Sequence, residues 1–217
     1  WWASRGKPPL SRKDVWGVLG LGVTGYYLAS FLDFAGLAYI TASLERLILY
    51  LNPTLVVLLG WALYGKRIHW GQAVGMLISY CGVVLVFGLE AQSQGGQAAW
   101  GALLVFLSAV SYAVYLVYSG EMVQRIGALR LVGLATTVAC ICCLVQFVVL
   151  RPLSAAIVAP QVLWLSVLNA TLCTAAPVLM VMMAIERIGA GMAAQAGMVG
   201  PLSTIFMGIW ILGEPFT

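Results

Sequence analysis

The sequence predicts an all-α polytopic membrane protein, on three observations. Of its 217 residues 62% are hydrophobic and 8% charged, whereas ordinary soluble domains carry about 25% charged residues. The apolar residues form continuous runs, not the alternating ten-residue segments of a membrane β-barrel. Seven of the runs reach the roughly 20 residues a helix needs to cross the hydrocarbon core, where a helix satisfies its own backbone hydrogen bonds. So few charges cannot cover a water-facing surface. That excludes a soluble domain, a disordered chain and a nucleic-acid module, despite the net charge of +4.

The predicted spans follow in order. Val15–Ala38 comes after the breaker Pro8-Pro9. Ala42–Tyr64 carries a proline, Pro53, in its middle. Trp70–Leu89 bears small residues at Gly71, Gly75, Ser79 and Gly82, a face suited to close helix contact. Gln94-Gly95-Gly96 separates it from Ala99–Ser119. Leu129–Leu150 follows, and Pro152 and Pro160 bracket the turn before Gln161–Ile185. Gly191–Leu212 is the seventh, with Pro201 inside it. The connections are too short to hold a soluble domain. Cys81, Cys140, Cys142, Cys143 and Cys173 all lie in apolar runs, far in sequence from the single histidine, His69. They read as small apolar filler, so neither a metal nor another cofactor is expected.

Basic residues set the orientation. With sides alternating at each span, Arg5, Lys7, Arg12, Lys13, Lys66, Arg67, Arg125, Arg130 and Arg187 share the side of the N-terminus, Arg151 faces the other, and Arg46 lies within a span. This bias places the N-terminal side in the cytoplasm.

A repeat runs through the chain. Ile40, Ala42, Pro53, Gly60 and Gly65 recur as Ile188, Ala190, Pro201, Gly208 and Gly213, each 148 residues later. The mid-span proline is the telling match, because proline removes a backbone donor and kinks a helix. The copies lie five spans apart and therefore cross in opposite directions. Inverted repeats of this kind are common in secondary transporters, with the substrate site near the midplane between the halves.

The segment Ala42-Ser43-Leu44-Glu45-Arg46 through Asn52-Pro53 to Leu63-Tyr64-Gly65-Lys66-Arg67-Ile68, and the segment Gly200-Pro201 through Ile211-Leu212-Gly213-Glu214-Pro215, resemble the end of an EamA domain. That domain belongs to the drug/metabolite transporter superfamily of bacterial inner-membrane carriers. The resemblance covers nearly the whole chain and implies a ten-helix template with five helices per half. By that template residues 1–90 are the C-terminal part of the first repeat, with three helices. Residues 99–217 are the second repeat without its last helix, with four, and the sequence reads as a fragment covering helices three to nine. One departure is Gly65-Lys66-Arg67, where the family usually has an acidic residue after the glycine; the first copy ends on the basic side of the membrane.

Charged groups inside a span are costly, so Asp33 and Arg46 stand out. Counted from the ends of adjoining helices they sit at similar depth, and a tight hairpin would bring them into contact, with Glu45 pointing elsewhere. That pair reads either as an ion pair beside a substrate path or as a structural staple. Ser108, Ser111, Tyr112, Tyr115 and Ser119 lie on one face of the fourth span, read as either cavity lining or helix packing. Tyr26, Tyr50, Asn52, Asn169, Thr174 and Gln195 complete the substrate-path candidates, and Pro53 and Pro201 are the expected kinks. No zinc-protease, serine-hydrolase or ATP-binding motif is present. The sequence is therefore expected to be a secondary transporter, an exporter of amino acids, other small metabolites or drug-like amphiphiles, working by alternating access. Its expected partners are the lipid bilayer, a small-molecule substrate and a coupling proton, with no nucleic acid; the oligomeric state is left open. A membrane scaffold or an intramembrane enzyme is the alternative.

Overall fold

A computed structural model describes residues 9–65, 69–90, 97–197, 200 and 210, and among them there is helix and no strand. The first span is α1 (Arg12–Leu21), a π-helical turn (Gly22–Leu28) and α2 (Ala29–Leu37) in unbroken succession. Ser11 begins it with a reciprocal capping box: its hydroxyl accepts from the Asp14 N–H, and the Asp14 side chain accepts from the Ser11 N–H, satisfying two of the donors that every helix start leaves open.

The second span breaks where the sequence places Pro53. α3 (Ala42–Leu49) starts on Thr41, whose hydroxyl accepts from the Leu44 N–H. At Tyr50-Leu51 the helix tightens, with the Leu51 N–H donating to the Ile48 carbonyl at 3.0 Å. α4 (Asn52–Tyr64) then begins with Pro53 in its first turn. Proline has no N–H to return to the Leu49 carbonyl, which is why the break falls here.

α5 (Trp70–Glu90) occupies the third predicted span. α6 (Ala98–Ile126) is the hub: α1, α2, α3, α4, α7, α9, α10 and the first π-helical turn all pack on it, and Val105, Ala109, Ala113 and Val123 on it are fully buried. α7 (Ala128–Leu150) leaves α6 directly through Gly127, at φ 82, a conformation that costs a residue with a Cβ. The sixth span repeats the construction of the first: α8 (Pro160–Leu168), a π-helical turn (Asn169–Ala175) and α9 (Ala176–Ile188). α10 (Ala190–Gly197) begins the seventh predicted span and packs on α4, α6 and α9. It starts 148 residues after α3 does. The two π-helical turns are 147 residues apart, so the repeat seen in the sequence extends to an irregularity of the backbone.

Among the described residues, five helical stretches are long and apolar enough to cross a membrane: Arg12–Leu37, Leu44–Tyr64, Ala98–Ile126, Ala128–Leu150 and Pro160–Ile188. These match the first, second, fourth, fifth and sixth predicted spans; the second is slightly shorter than its apolar run and the other four are longer, the fourth reaching on to Ile126. Pro201, Gly208 and Gly213 lie outside the described residues. The outward surface is apolar too, with Trp16, Phe34, Trp70, Val149 and Ile157 exposed, as suits a bundle solvated by lipid. The described residues form an all-α polytopic membrane bundle.

Candidate functional site

The break at Tyr50-Leu51 opens a cavity of about 290 Å³ between α3, α4, α6, α9 and α10. Arg46 and Tyr50, one helical turn apart, both face it because residues at i and i+4 share a helix side. Asn52 and Pro53 enter from the start of α4, and Tyr112 from α6. Leu49, Leu116, Val181, Ala193, Ala194 and Gly197 supply apolar wall. The Asn52 Oδ1 atom is buried and has no hydrogen-bond partner. Leu49, whose carbonyl Pro53 leaves without its i+4 donor, belongs to the same wall. The cavity thus combines one guanidinium, one orphaned amide oxygen and two phenols in an otherwise apolar enclosure, the usual make-up of a small-molecule site.

Arg46 does not reach Asp33. The Asp33 side chain faces the Glu45 carboxyl instead, and its buried Oδ1 atom has no hydrogen-bond partner. The phase of α3 explains it. With Thr41 as the cap, Glu45 in the first turn faces α2, and Arg46 is turned by about 100° toward the cavity.

The serines of the fourth span are pins rather than cavity lining. The Ser108 hydroxyl donates to the Ala29 carbonyl at 2.7 Å and that of Ser111 to the Thr24 carbonyl at 2.9 Å. The Thr24 carbonyl also accepts the N–H of Ala29, five residues on. The two serines therefore lock α6 onto the first π-helical turn and the start of α2. Tyr115 is buried in the same contact, its hydroxyl 2.6 Å from that of Tyr26, with the rings edge to face, and Tyr112 stacks on Tyr115 from the cavity side. Ser119 is buried on the same helix. Asn169 and Thr174 lie in the second π-helical turn and are exposed, with the Thr174 hydroxyl donating to the Asn169 carbonyl. Gln195 is half-buried on α10 but is not part of the cavity wall that Ala193, Ala194 and Gly197 form. Of the twelve predicted substrate-path residues, the cavity gathers Arg46, Tyr50, Asn52 and Tyr112, with Pro53 beside them.

Sequence reasoning missed a salt bridge. Arg125, at the end of α6, reaches Asp14, at the start of α1, at 3.0 Å. Nearby on that side of the bundle, the Gln124 side chain donates to the Glu186 carbonyl of α9 at 2.7 Å. The start of the first span and the ends of the fourth and sixth thus share one face of the membrane, as the distribution of basic residues requires. A separate cavity of about 460 Å³ lies along the α4–α6–α10 seam, lined by Val56, Val57 and Val117 and reaching His69 and Gln72.

A family model described as "EamA-like transporter family" matches residues 1–88 and 99–217. "Uncharacterized transporter YcbK" of Bacillus subtilis (strain 168) is 30% identical over 224 residues, which span 96% of this chain and 69% of the relative. "Uncharacterized transporter YetK" of the same organism is 26% identical over 58% of this chain and 39% of the relative. An "Uncharacterized transporter" of Archaeoglobus fulgidus is 26% identical over 55% of this chain and 41% of its own. A protein crystal structure superposes with a TM-score of 0.71 at 22% identity, over 95% of this chain and 72% of the other; at that identity the likeness speaks for the fold alone.

Proposed function

Because the chain belongs to the EamA-like transporter family and is a polytopic membrane transporter, we propose that it is a secondary carrier that exports small metabolites, amino acids or drug-like amphiphiles, by alternating access. The observation that carries this reading is the cavity at the broken second span. A helix that crosses without serving a site has no need to open its backbone in the membrane, where irregular backbone is tolerated only beside protein or a cavity. Here the opening sits next to Arg46, Asn52 and Tyr112. The second cavity, farther along the α4–α6–α10 seam, supports a path from the centre to one membrane face. The basic residues on that face make it the cytoplasmic one, in a bacterial inner membrane, with the N-terminal side inside.

The coupling ion in this reading is a proton, and the nearness of the Asp33 and Glu45 carboxyls supports it: two like charges side by side favour taking up a proton and can release it again. Tyr26, Asn169, Thr174 and Gln195 serve the path less directly, through the packing of the helices that move.

The test is flux of a metabolite panel from proteoliposomes with and without an imposed proton gradient. At least one compound moves in a gradient-dependent way, and Arg46→Gln abolishes its movement. Asp33→Asn and Glu45→Gln leave downhill exchange of that compound but remove its response to the gradient. Gradient-independent flux that both carboxyl variants preserve would remove the proton from the scheme. No flux of any compound, by protein that remains folded, would remove the carrier reading itself.

A further inference from the structure

The central cavity holds two unlike polar groups, one on each side of the helix break. Arg46 presents a permanent positive charge from α3, and Asn52 an amide oxygen without a partner from the start of α4. Between them the wall is Leu49 and Pro53, faced by Tyr112 and Leu116 of α6 and Val181 of α9. That is an apolar slot with an aromatic side.

We propose that Arg46 and Asn52 select a bipolar substrate: an aryl carboxylate whose anion meets Arg46 and whose far end carries a hydroxyl or amine that donates to Asn52 Oδ1. The proposal rests on the carrier reading above and narrows it. The placement of the two poles on two different helices, with apolar wall between, favours one ligand class. In an α-amino acid one carbon separates amine and carboxylate, which suits two poles set side by side rather than on either side of an apolar slot. A para-substituted phenylpropionate places its two polar ends on opposite sides of a ring and spans the slot. The ring replaces no hydrogen bonds of its own, and it finds Leu49, Leu116 and the Tyr112 face on either side, where aromatic contacts add to area burial. A cationic amphiphile is disfavoured by the guanidinium. An uncharged one forgoes the charge-assisted hydrogen bonds that the guanidinium offers.

Isothermal titration of the protein in lipid nanodiscs tests this with three probes: para-hydroxyphenylpropionate, phenylpropionate and para-hydroxyphenylpropionamide. The first binds about tenfold more tightly than either analogue that lacks one pole, the usual order for one charge-assisted or buried hydrogen bond. Arg46→Gln erases the preference for the acid over the amide and keeps the preference for the hydroxylated ring. Asn52→Ala does the reverse. Arg46→Lys, which keeps the charge, keeps the acid preference and separates loss of recognition from loss of fold. Equal binding of the three probes by the wild type, or preferences that survive both substitutions, overturns the two-pole assignment while the cavity stands as a binding site. Binding of none of the three removes the cavity reading as well.

Discussion

Gly25 shows how tightly one position is specified. It sits in the first π-helical turn, and a Cβ placed there overlaps the ring of Tyr115. Tyr115 cannot yield, because it is buried and its hydroxyl is tied to Tyr26. Gly25→Ala is therefore expected to destabilise the bundle by about 1–3 kcal/mol, the usual cost of overpacking, read as a lower melting temperature in detergent. Gly20, five residues earlier in α1, has open space where its Cβ would be, so Gly20→Ala is expected to be neutral or stabilising by up to about 1 kcal/mol. If both changes cost the same, the close approach of the first span to α6 is not what fixes glycine at position 25. Ser11→Ala tests a different kind of residue. It removes a capping oxygen from α1 and should cost about 1 kcal/mol, seen as faster amide exchange in the first turn of that helix.

At the scale of the element, the broken second span makes the sharpest forecast. Pro53→Ala returns an N–H to the Leu49 carbonyl and favours one straight helix from α3 into α4. Thermal stability should hold or rise, while flux in proteoliposomes falls to background because the cavity wall closes. Loss of stability with flux retained would make the proline a packing residue and nothing more. The break was legible from the sequence because proline acts locally, through its own missing donor. The helices were legible for a similar reason: runs of some 20 apolar residues leave no other backbone solution in lipid. The pairing of side chains was not. Whether Asp33 met Arg46 or Glu45 depended on where α3 begins, and a shift of one residue rotates a helix face by about 100°. The polar stripe of α6 was visible in its spacing, but its partners, the Thr24 and Ala29 carbonyls, are backbone groups on another span. No side-chain pattern announces them. The apolar wall from Leu116, Val181 and Ala194 carried no signal at all, since such residues fill every span.

For the whole molecule, the arrangement of helix ends predicts which residues face which compartment. In a background with the five native cysteines replaced, Ser154→Cys, in the turn after α7, should react with a membrane-impermeant maleimide added to intact cells. Gln124→Cys, beside the Asp14–Arg125 bridge, should react only after the cells are opened. The opposite pattern would invert the orientation without changing the fold. Labelling of both from outside would break the span count.

The matched π-helical turns carry a record of ancestry. A π-turn arises when one residue is added inside an α-helix and the helix widens locally to absorb it, so each turn preserves a past insertion. Gly22–Leu28 and Asn169–Ala175 share no conspicuous sequence, yet they hold corresponding places in the two halves. A single insertion in a half-sized ancestor, copied when the gene doubled, accounts for both; otherwise the same rare event must have struck twice at matching positions. The irregularity is then older than the duplication, and the backbone has kept it long after the side chains diverged.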